Sequence, residues 1–131
     1  MNDQSYDFQH IPTEIRQVTK DRKLILTFDN GESFEMTMEY LRVMCPCAEC
    51  RGHTPDQRQL IHGKKNVTIT EISPIGHYAI KIVFNDGHSG GVYSWETLYD
   101  LGNLQEPYWN KYLQELKEAG KHRMSWEIKA M

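Results

Sequence analysis

The chain has 131 residues, of which 39% are hydrophobic and 25% charged, and its formal net charge is −3. This composition is typical of a globular protein with one core and argues against disorder. The acidic balance argues against a nucleic-acid-binding domain, which usually carries a basic stripe. The apolar stretches are too short to span a bilayer. The start, MNDQSYDFQH, lacks the features of a signal peptide, which predicts a cytoplasmic protein with reduced thiols.

The N-terminal part of the chain predicts an arm followed by a hairpin. Residues 1–11 are polar with scattered aromatics, and we expect a flexible arm there. Residues 14–18 predict a short strand, and the apolar pattern over 24–28 predicts a largely buried one. The sequence Asp-Asn-Gly at 29–31 is typical of a tight turn, which leads to a third strand over 33–36.

A short helix and a loop are predicted next. Thr37 is a typical N-cap residue, and the apolar residues after it predict a helix through Leu41 and Met44. Pro46 ends this helix, since a proline disfavours helical geometry in the residue before it. Residues 51–66 are polar and rich in turn formers, which predicts a mobile loop.

Two further strands follow this loop. Strands are predicted over 67–72 and 78–84, with a turn at 73–76 between them. The second strand has the clearest alternation in the chain. The sequence Asn-Asp-Gly at 85–87 predicts another tight turn, which brings His88 to the start of the next strand.

The C-terminal part of the chain predicts one strand and two helices. Residues 91–94 predict the strand, and Ser94 is expected to cap a helix that runs through Leu101. Pro107 is typical of the first position of a last helix, and Gly120 of its end. That helix carries apolar residues at helical spacing: Trp109, Tyr112, Leu113 and Leu116.

These elements predict an α+β domain, mainly an antiparallel β-sheet with short helices. We expect an arm at 1–11, the domain at 12–102, and a C-terminal helix and tail at 103–131. The aromatic stripe of the last helix either binds a partner or packs on the core, and core packing is the expectation. The pattern around Trp126 assigns no structure to the tail.

All three cysteines lie within residues 45–50, in the order Cys-x-Cys-x-x-Cys. Three thiols cannot all pair as disulfides, and such a triplet is typical of a metal centre that takes a fourth ligand from elsewhere. Thiolates select Zn²⁺ or an iron–sulfur cluster over hard ions. The alternative is that the thiols bind no metal, or that two of them form a labile disulfide.

Six histidines compete for the fourth position. His88 is preferred because a tight turn between two strands gives it a rigid support, which lowers the cost of ordering a ligand. His53 is the main alternative, since it is close in sequence but lies in a loop. The others are expected in arms, in the loop or at a strand end: His10, His62, His77 and His122. The predicted metal ligands are therefore Cys45, Cys47, Cys50 and His88.

Two segments together carry a family resemblance. Residues 39–52, EYLRVMCPCAECRG, resemble the LR-x-x-CPCA-x-C signature of the gamma-butyrobetaine hydroxylase N-terminal-like domain family. Residues 76–80 and 85–95 resemble its second signature, G-x-YA followed by DGH-x-x-G-x-YSW. The resemblance covers about residues 12–102. It implies that the three cysteines and the histidine of the DGH motif, here His88, bind zinc.

The resemblance also implies which activities do not transfer. In the carnitine-pathway hydroxylases this domain precedes an Fe(II)/2-oxoglutarate oxygenase domain, whose His-x-Asp pair is absent here, since His53 and Asp56 have the wrong spacing. Similar domains are fused to Mrp-type P-loop ATPases, but HGKK at 62–65 lacks the rest of a P-loop. We therefore expect a stand-alone member of bacterial type.

The sequence supports three hypotheses about function. The expectation is a zinc-binding module with a closed Cys3His structural site, which contacts an unknown protein partner through its sheet or last helix. The alternative is an accessory protein in iron–sulfur cluster assembly or delivery. An enzyme is least favoured, because the acid–base candidates Asp86, His77 and Glu96 show no pairing with a nucleophile. An accessory role beside an oxygenase is a minor alternative.

Four residues near the motifs have structural interpretations. Tyr93 and Trp95 are expected to pack beside the metal or in the core rather than line a ligand pocket. Asp86 is expected to bond its own turn backbone. Arg42 either binds an anion or pairs with a glutamate on the surface.

Overall fold

The computed structural model describes residues 8–47, 50, 58–88 and 91–124. In these ranges the strands form two three-stranded antiparallel sheets, and helices follow each sheet. This arrangement confirms the predicted α+β class. Residues 58–66 of the predicted loop contain neither helix nor strand, whereas residues 51–57 lie outside the described part of the chain.

The first sheet is built from two consecutive hairpins. Its strands are β1 (Pro12–Val18), β2 (Lys23–Phe28) and β3 (Ser33–Thr37). β2 lies in the centre, where Leu26 pairs with Ile15 on one side and Phe34 on the other. Alternate residues of β2 are buried, as its apolar pattern predicts, so one face of this sheet lies against the core.

The second sheet repeats this arrangement with β5 in the centre. Its strands are β4 (Ile69–Ile75), β5 (Ala79–Phe84) and β6 (Gly91–Ser94). The predicted turn at 73–76 is wrong, because β4 continues through Ile75. The chain reverses at Gly76, whose φ of +54° lies in the left-handed region that favours glycine. Pro74 is tolerated because β4 is an edge strand of this sheet.

The helices follow the two sheets in chain order. They are α1 (Met38–Val43), α2 (Trp95–Asn103) and α3 (Gln105–Ala119). Thr37 and Ser94 cap α1 and α2 as predicted, since each side chain accepts a backbone N–H three residues later. The prediction that Pro107 opens the last helix is wrong, because α3 begins at Gln105. Proline is tolerated there because the first-turn N–H groups of a helix have no intrahelical acceptor.

A shared apolar core joins the two sheets and the helices. Its largest fully buried side chains include Phe28, Tyr40, Phe84 and Tyr93. The stripe of α3 packs inward, as expected: Tyr112 and Leu116 are buried, and the Trp109 ring contacts Tyr40. Leu113, at 37% exposure, is the member of the stripe that faces outward. No helix among the described residues is both long and apolar enough to cross a membrane.

Candidate metal centre

Two distant parts of the chain converge at the cysteine triplet. Cys45 and Cys47 follow the end of α1, and His88 follows the turn after β5. The Sγ atoms of Cys45, Cys47 and Cys50 lie 3.1, 3.4 and 3.8 Å from His88 Nε2. All four ligand atoms lie within 4.8 Å of one another. The structure thus brings together the four residues that the sequence predicts as ligands.

This spacing fits one tetrahedral metal ion. Zn–S bonds of about 2.3 Å and Zn–N bonds of about 2.0 Å, at tetrahedral angles, separate sulfur from nitrogen by about 3.5 Å. The three observed sulfur–nitrogen distances lie on both sides of that value. Thiolates with an imidazole also suit a borderline-soft cation. Among the described residues, no other group of three or more His, Cys, Asp or Glu side chains has this arrangement.

The candidate centre is largely removed from water. Cys45 and Cys50 are buried, and Cys47 and His88 are half-buried. Burial raises the pKa of the Cys45 thiol to about 12 and also raises that of Cys50. Thiolates at these positions therefore need a nearby positive charge, which a bound cation would supply.

The backbone of the cysteine segment supports its own turn. The N–H of Cys45 donates to the carbonyl of Arg42 at 3.3 Å, and that of Cys50 donates to Cys47 at 3.2 Å. Gly91 on β6 faces the sulfur of Cys45, because a Cβ at Gly91 would lie 3.1 Å from Cys45 Sγ. The two backbone bonds hold the turns at Cys45 and Cys50, and Gly91 lets β6 come close to Cys45.

Asp86 holds the turn that carries His88. Its carboxylate accepts the backbone N–H of His88 at 3.0 Å, which confirms the predicted bond to the turn backbone. The same carboxylate lies 2.8 Å from Arg42 Nε and 2.7 Å from Lys64 Nζ. Burial raises its pKa, but these three donors outweigh that effect and lower the pKa to about 2. Asp86 is therefore a hydrogen-bonded carboxylate in the wall of the centre.

Arg42 lies in the core, beside the thiols. The prediction of an anion site or a surface pair with glutamate is wrong, since Arg42 is 6% exposed and its partner is Asp86. Its Nη1 also points to Cys50 Sγ at 3.6 Å. Arg42 lies in the last turn of α1, a helix whose residues from Met38 to Arg42 are all buried.

Tyr93 and Trp95 have structural positions, as expected. Tyr93 is fully buried and its hydroxyl donates to the carbonyl of Leu41 at 2.5 Å, which ties β6 to α1. Burial raises the pKa of Tyr93 well above its usual value, and the neighbouring Cys45 adds to the effect. The indole of Trp95 donates to the carbonyl of His77 at 2.7 Å.

The other predicted alternatives lie away from the centre. His10 pairs with Asp29 at 3.0 Å and stacks on Tyr99, whereas His62, His77 and His122 are exposed. His53 lies outside the described residues. Lys64 was not predicted as part of the site, because its position in a polar loop gives no signal of a contact with Asp86.

Sequence comparison provides the family. The family model described as gamma-butyrobetaine hydroxylase-like, N-terminal, matches residues 15–99 of the chain. The chain belongs to this family. All four candidate ligands of the gamma-butyrobetaine hydroxylase-like domain lie within the matched range. No curated protein matches the chain.

Several solved structures are similar to this gamma-butyrobetaine hydroxylase-like chain. One NMR solution structure is 40% identical, covers 100% of this chain and 98% of its own, and has a TM-score of 0.79. Another is 37% identical, with 93% and 98% coverage and a TM-score of 0.76. A crystal structure of a DUF971-family protein of unknown function from Acidithiobacillus ferrooxidans is 37% identical, with 70% and 91% coverage and a TM-score of 0.59.

Proposed function

We propose that this chain is a cytoplasmic zinc-binding module that acts by contact with a partner protein and has no chemistry of its own. In this proposal Cys45, Cys47, Cys50 and His88 hold one structural Zn²⁺. The observation that carries it is the convergence of the four ligand atoms within 4.8 Å, at the spacing of one tetrahedral ion.

The closed ligand set supports a structural rather than a catalytic role. A catalytic zinc keeps one coordination position for water or substrate, whereas four protein ligands fill a tetrahedral shell. Bound zinc would supply a cross-link between the end of α1 and the turn after β5. The chain would then act through the surface that this cross-link stabilises.

The compactness of the ligand group favours a single ion over an iron–sulfur cluster. A [2Fe–2S] cluster distributes its four ligands over two irons and therefore needs a wider cage than one ion does. The four ligand atoms here lie within 4.8 Å of one another. The cluster hypothesis uses the same residues, so metal analysis decides between the two.

The decisive experiment measures zinc, iron and acid-labile sulfide in the full chain after anaerobic purification. We expect one zinc per chain without iron or sulfide. We expect His88→Ala and Cys47→Ala to lose zinc and much of the fold, while His53→Ala and the exposed control His77→Ala lose neither. One zinc per chain in His88→Ala would overturn the ligand assignment, and iron with sulfide would favour the cluster.

The accessory role requires a partner that recognises the metal-bound fold. The tagged chain is cross-linked in extract of its own cells, and captured proteins are identified by mass spectrometry and then purified. A purified partner should bind the wild type and His77→Ala equally and should not bind His88→Ala. A partner that binds the zinc-depleted wild type with unchanged affinity would contradict this role.

A further inference from the structure

Arg42 and Asp86 connect the two halves of the candidate metal centre. Arg42 donates through Nε to Asp86 Oδ2 at 2.8 Å and through Nη1 to Cys50 Sγ at 3.6 Å. Asp86 accepts the backbone N–H of His88 on its other oxygen, at 3.0 Å. One guanidinium and one carboxylate therefore link a ligand on the cysteine segment to the ligand on the β5 turn.

The carboxylate that neutralises Arg42 is shared with a second cation. The Arg42 side chain is 8% exposed, and a charge so far removed from water needs a partner of opposite sign. The Asp86 side chain, 15% exposed, is shared, because Lys64 Nζ lies 2.7 Å from the oxygen that Arg42 contacts. Two cations thus use one carboxylate. Among the residues that the structure describes, the other acceptor for Arg42 is the sulfur of Cys50.

The charge of a loaded site matches this excess. Three thiolates, a neutral imidazole and a divalent cation together leave one net negative charge. Arg42, Lys64 and Asp86 together leave one net positive charge. Charges that are this close and this little exposed are screened much less than surface charges, so the match has a large effect on the stability of the loaded state.

We propose that Arg42 is a positioning and charge-compensating residue of the metal centre. It fixes Cys50 and, through Asp86, His88 at the spacing that one ion requires, and it neutralises the anionic loaded site. Arg42 does not itself coordinate the ion. This inference rests on the proposed zinc site, and it adds a residue that determines how tightly the site holds the metal.

The test compares zinc affinity in two variants that each lose one guanidinium. Zn²⁺ is titrated into the full-length chain in competition with a chromophoric chelator. We expect Arg42→Gln to bind one zinc about 10- to 100-fold more weakly than the wild type, the usual effect of losing a partner of a metal ligand. Arg16→Gln, which removes an exposed side chain paired with Glu14 on β1, should bind like the wild type.

Two outcomes of this titration separate the inference from the proposal on which it rests. Wild-type affinity in Arg42→Gln would overturn the role of Arg42 while leaving the zinc site intact. Failure of the wild type to bind zinc would instead overturn the proposed function. Far-UV circular dichroism of each loaded variant shows whether the fold is retained.

Further measurements distinguish charge compensation from packing alone. The loaded Arg42→Gln chain should be alkylated faster by iodoacetamide, because Cys50 loses its donor. Arg42→Lys should recover part of the zinc affinity, because it restores the charge without the planar fork.

If Arg42→Gln does not fold, Lys64→Gln provides the test, because it removes the same positive charge at a side chain that is 25% exposed. Wild-type affinity in Lys64→Gln, with the exposed Lys65→Gln as control, would contradict charge compensation.

Discussion

Gly91 lies on β6 directly beside the sulfur of Cys45, and a larger residue there would require its neighbours to shift. A Cβ would lie 3.1 Å from Cys45 Sγ and 2.8 Å from the ring of Tyr93. Tyr93 cannot move easily, since it is fully buried and its hydroxyl is bonded to Leu41. The absence of a side chain at this position therefore determines how closely β6 approaches the metal centre.

Replacement of this glycine is expected to disturb both the fold and the site. Gly91→Ala should lower the free energy of unfolding by about 1 to 3 kcal/mol, the usual cost of overpacking, and should weaken zinc binding. Urea denaturation and chelator competition measure the two effects. Val92→Ala, at the neighbouring position with 44% exposure, is the control. If Gly91→Ala keeps the wild-type free energy of unfolding and zinc affinity, the side chains of Cys45 and Tyr93 move away from the added methyl group without loss of stability.

Arg123 forms an ion pair with Glu39, which lies 84 positions earlier in the chain. Its guanidinium donates two hydrogen bonds to Glu39, at 3.0 and 2.8 Å, and lies 5.2 Å from the centre of the Trp109 ring. The Glu39 side chain is 5% exposed and that of Arg123 is 40% exposed. Loss of Arg123 would leave a buried carboxylate without its charged partner.

We therefore expect Arg123→Ala to be destabilising. The free energy of unfolding should fall by about 2 to 3 kcal/mol, which is the upper range for hydrogen bonds to charged groups. Urea denaturation measures it, with the exposed Lys121→Ala as control. The double variant Glu39→Gln/Arg123→Ala should recover part of the loss, because the buried charge is then absent. A loss as small as that of Lys121→Ala would mean that water replaces the guanidinium fully.

At the scale of elements, α2 approaches β3 very closely at Gly102. A Cβ on Gly102 would lie 2.4 Å from Cγ of Phe34, a distance that real contacts do not reach. Gly102 occurs within a helix, where alanine normally stabilises by about 0.5 to 1 kcal/mol. The two effects have opposite signs, and the larger one decides the outcome.

Overpacking is expected to win at this helix–sheet contact. Gly102→Ala should lower the free energy of unfolding, because overpacking costs about 1 to 3 kcal/mol and exceeds the gain in helix propensity. Guanidinium denaturation measures the change. In a Phe34→Ala background, where the ring is absent, the same substitution should cost less. A more stable Gly102→Ala chain would show that α2 can shift away from β3 freely.

Elements whose signals are local could be predicted from the sequence. The N-caps Thr37 and Ser94 were predicted because the capping bond joins residues three positions apart. The convergence of the four candidate ligands was predicted from motif and turn chemistry, although their role as ligands stays a prediction. The turn predicted at 73–76 and the helix start predicted at Pro107 were wrong. Pairing with β5 extends β4 through Ile75, and α3 begins at Gln105, directly after the end of α2. In both places the wider structure overrides the local preference of proline.

Contacts between distant positions could not be predicted in this way. Arg42 and Asp86 are 44 positions apart, and Glu39 and Arg123 are 84 apart. The residue type alone does not show whether an arginine or a carboxylate is exposed or buried in the fold. The first pair depends on how α1 meets the turn after β5, and the second on how the segment after α3 returns to α1. Both follow from the packing of the whole molecule rather than from any one segment.

At the scale of the whole molecule, the candidate centre joins the segment after α1 to the turn after β5 of the second sheet. Cys45, which follows the first sheet and α1, is 43 positions from His88, which follows β5 of the second sheet. Direct contacts between the halves include Gln17 Nε2 to the carbonyl of Ile69 at 3.3 Å. A bound ion would therefore join the segment after α1 to the turn after β5, and its binding free energy would add to the stability of the folded chain.

Metal removal should consequently destabilise the molecule as a whole. An ion that binds only the folded chain stabilises it by several kcal/mol at saturation, so EDTA should lower the Tm by roughly 10 °C or more. Zn²⁺ should restore the Tm, whereas Mg²⁺, which prefers oxygen ligands, should not. Differential scanning calorimetry measures the Tm, and hydrogen exchange should show the turn at Gly87 losing protection before Leu26 of β2. An unchanged Tm after verified metal removal would mean that the shared core alone holds the two sheets together.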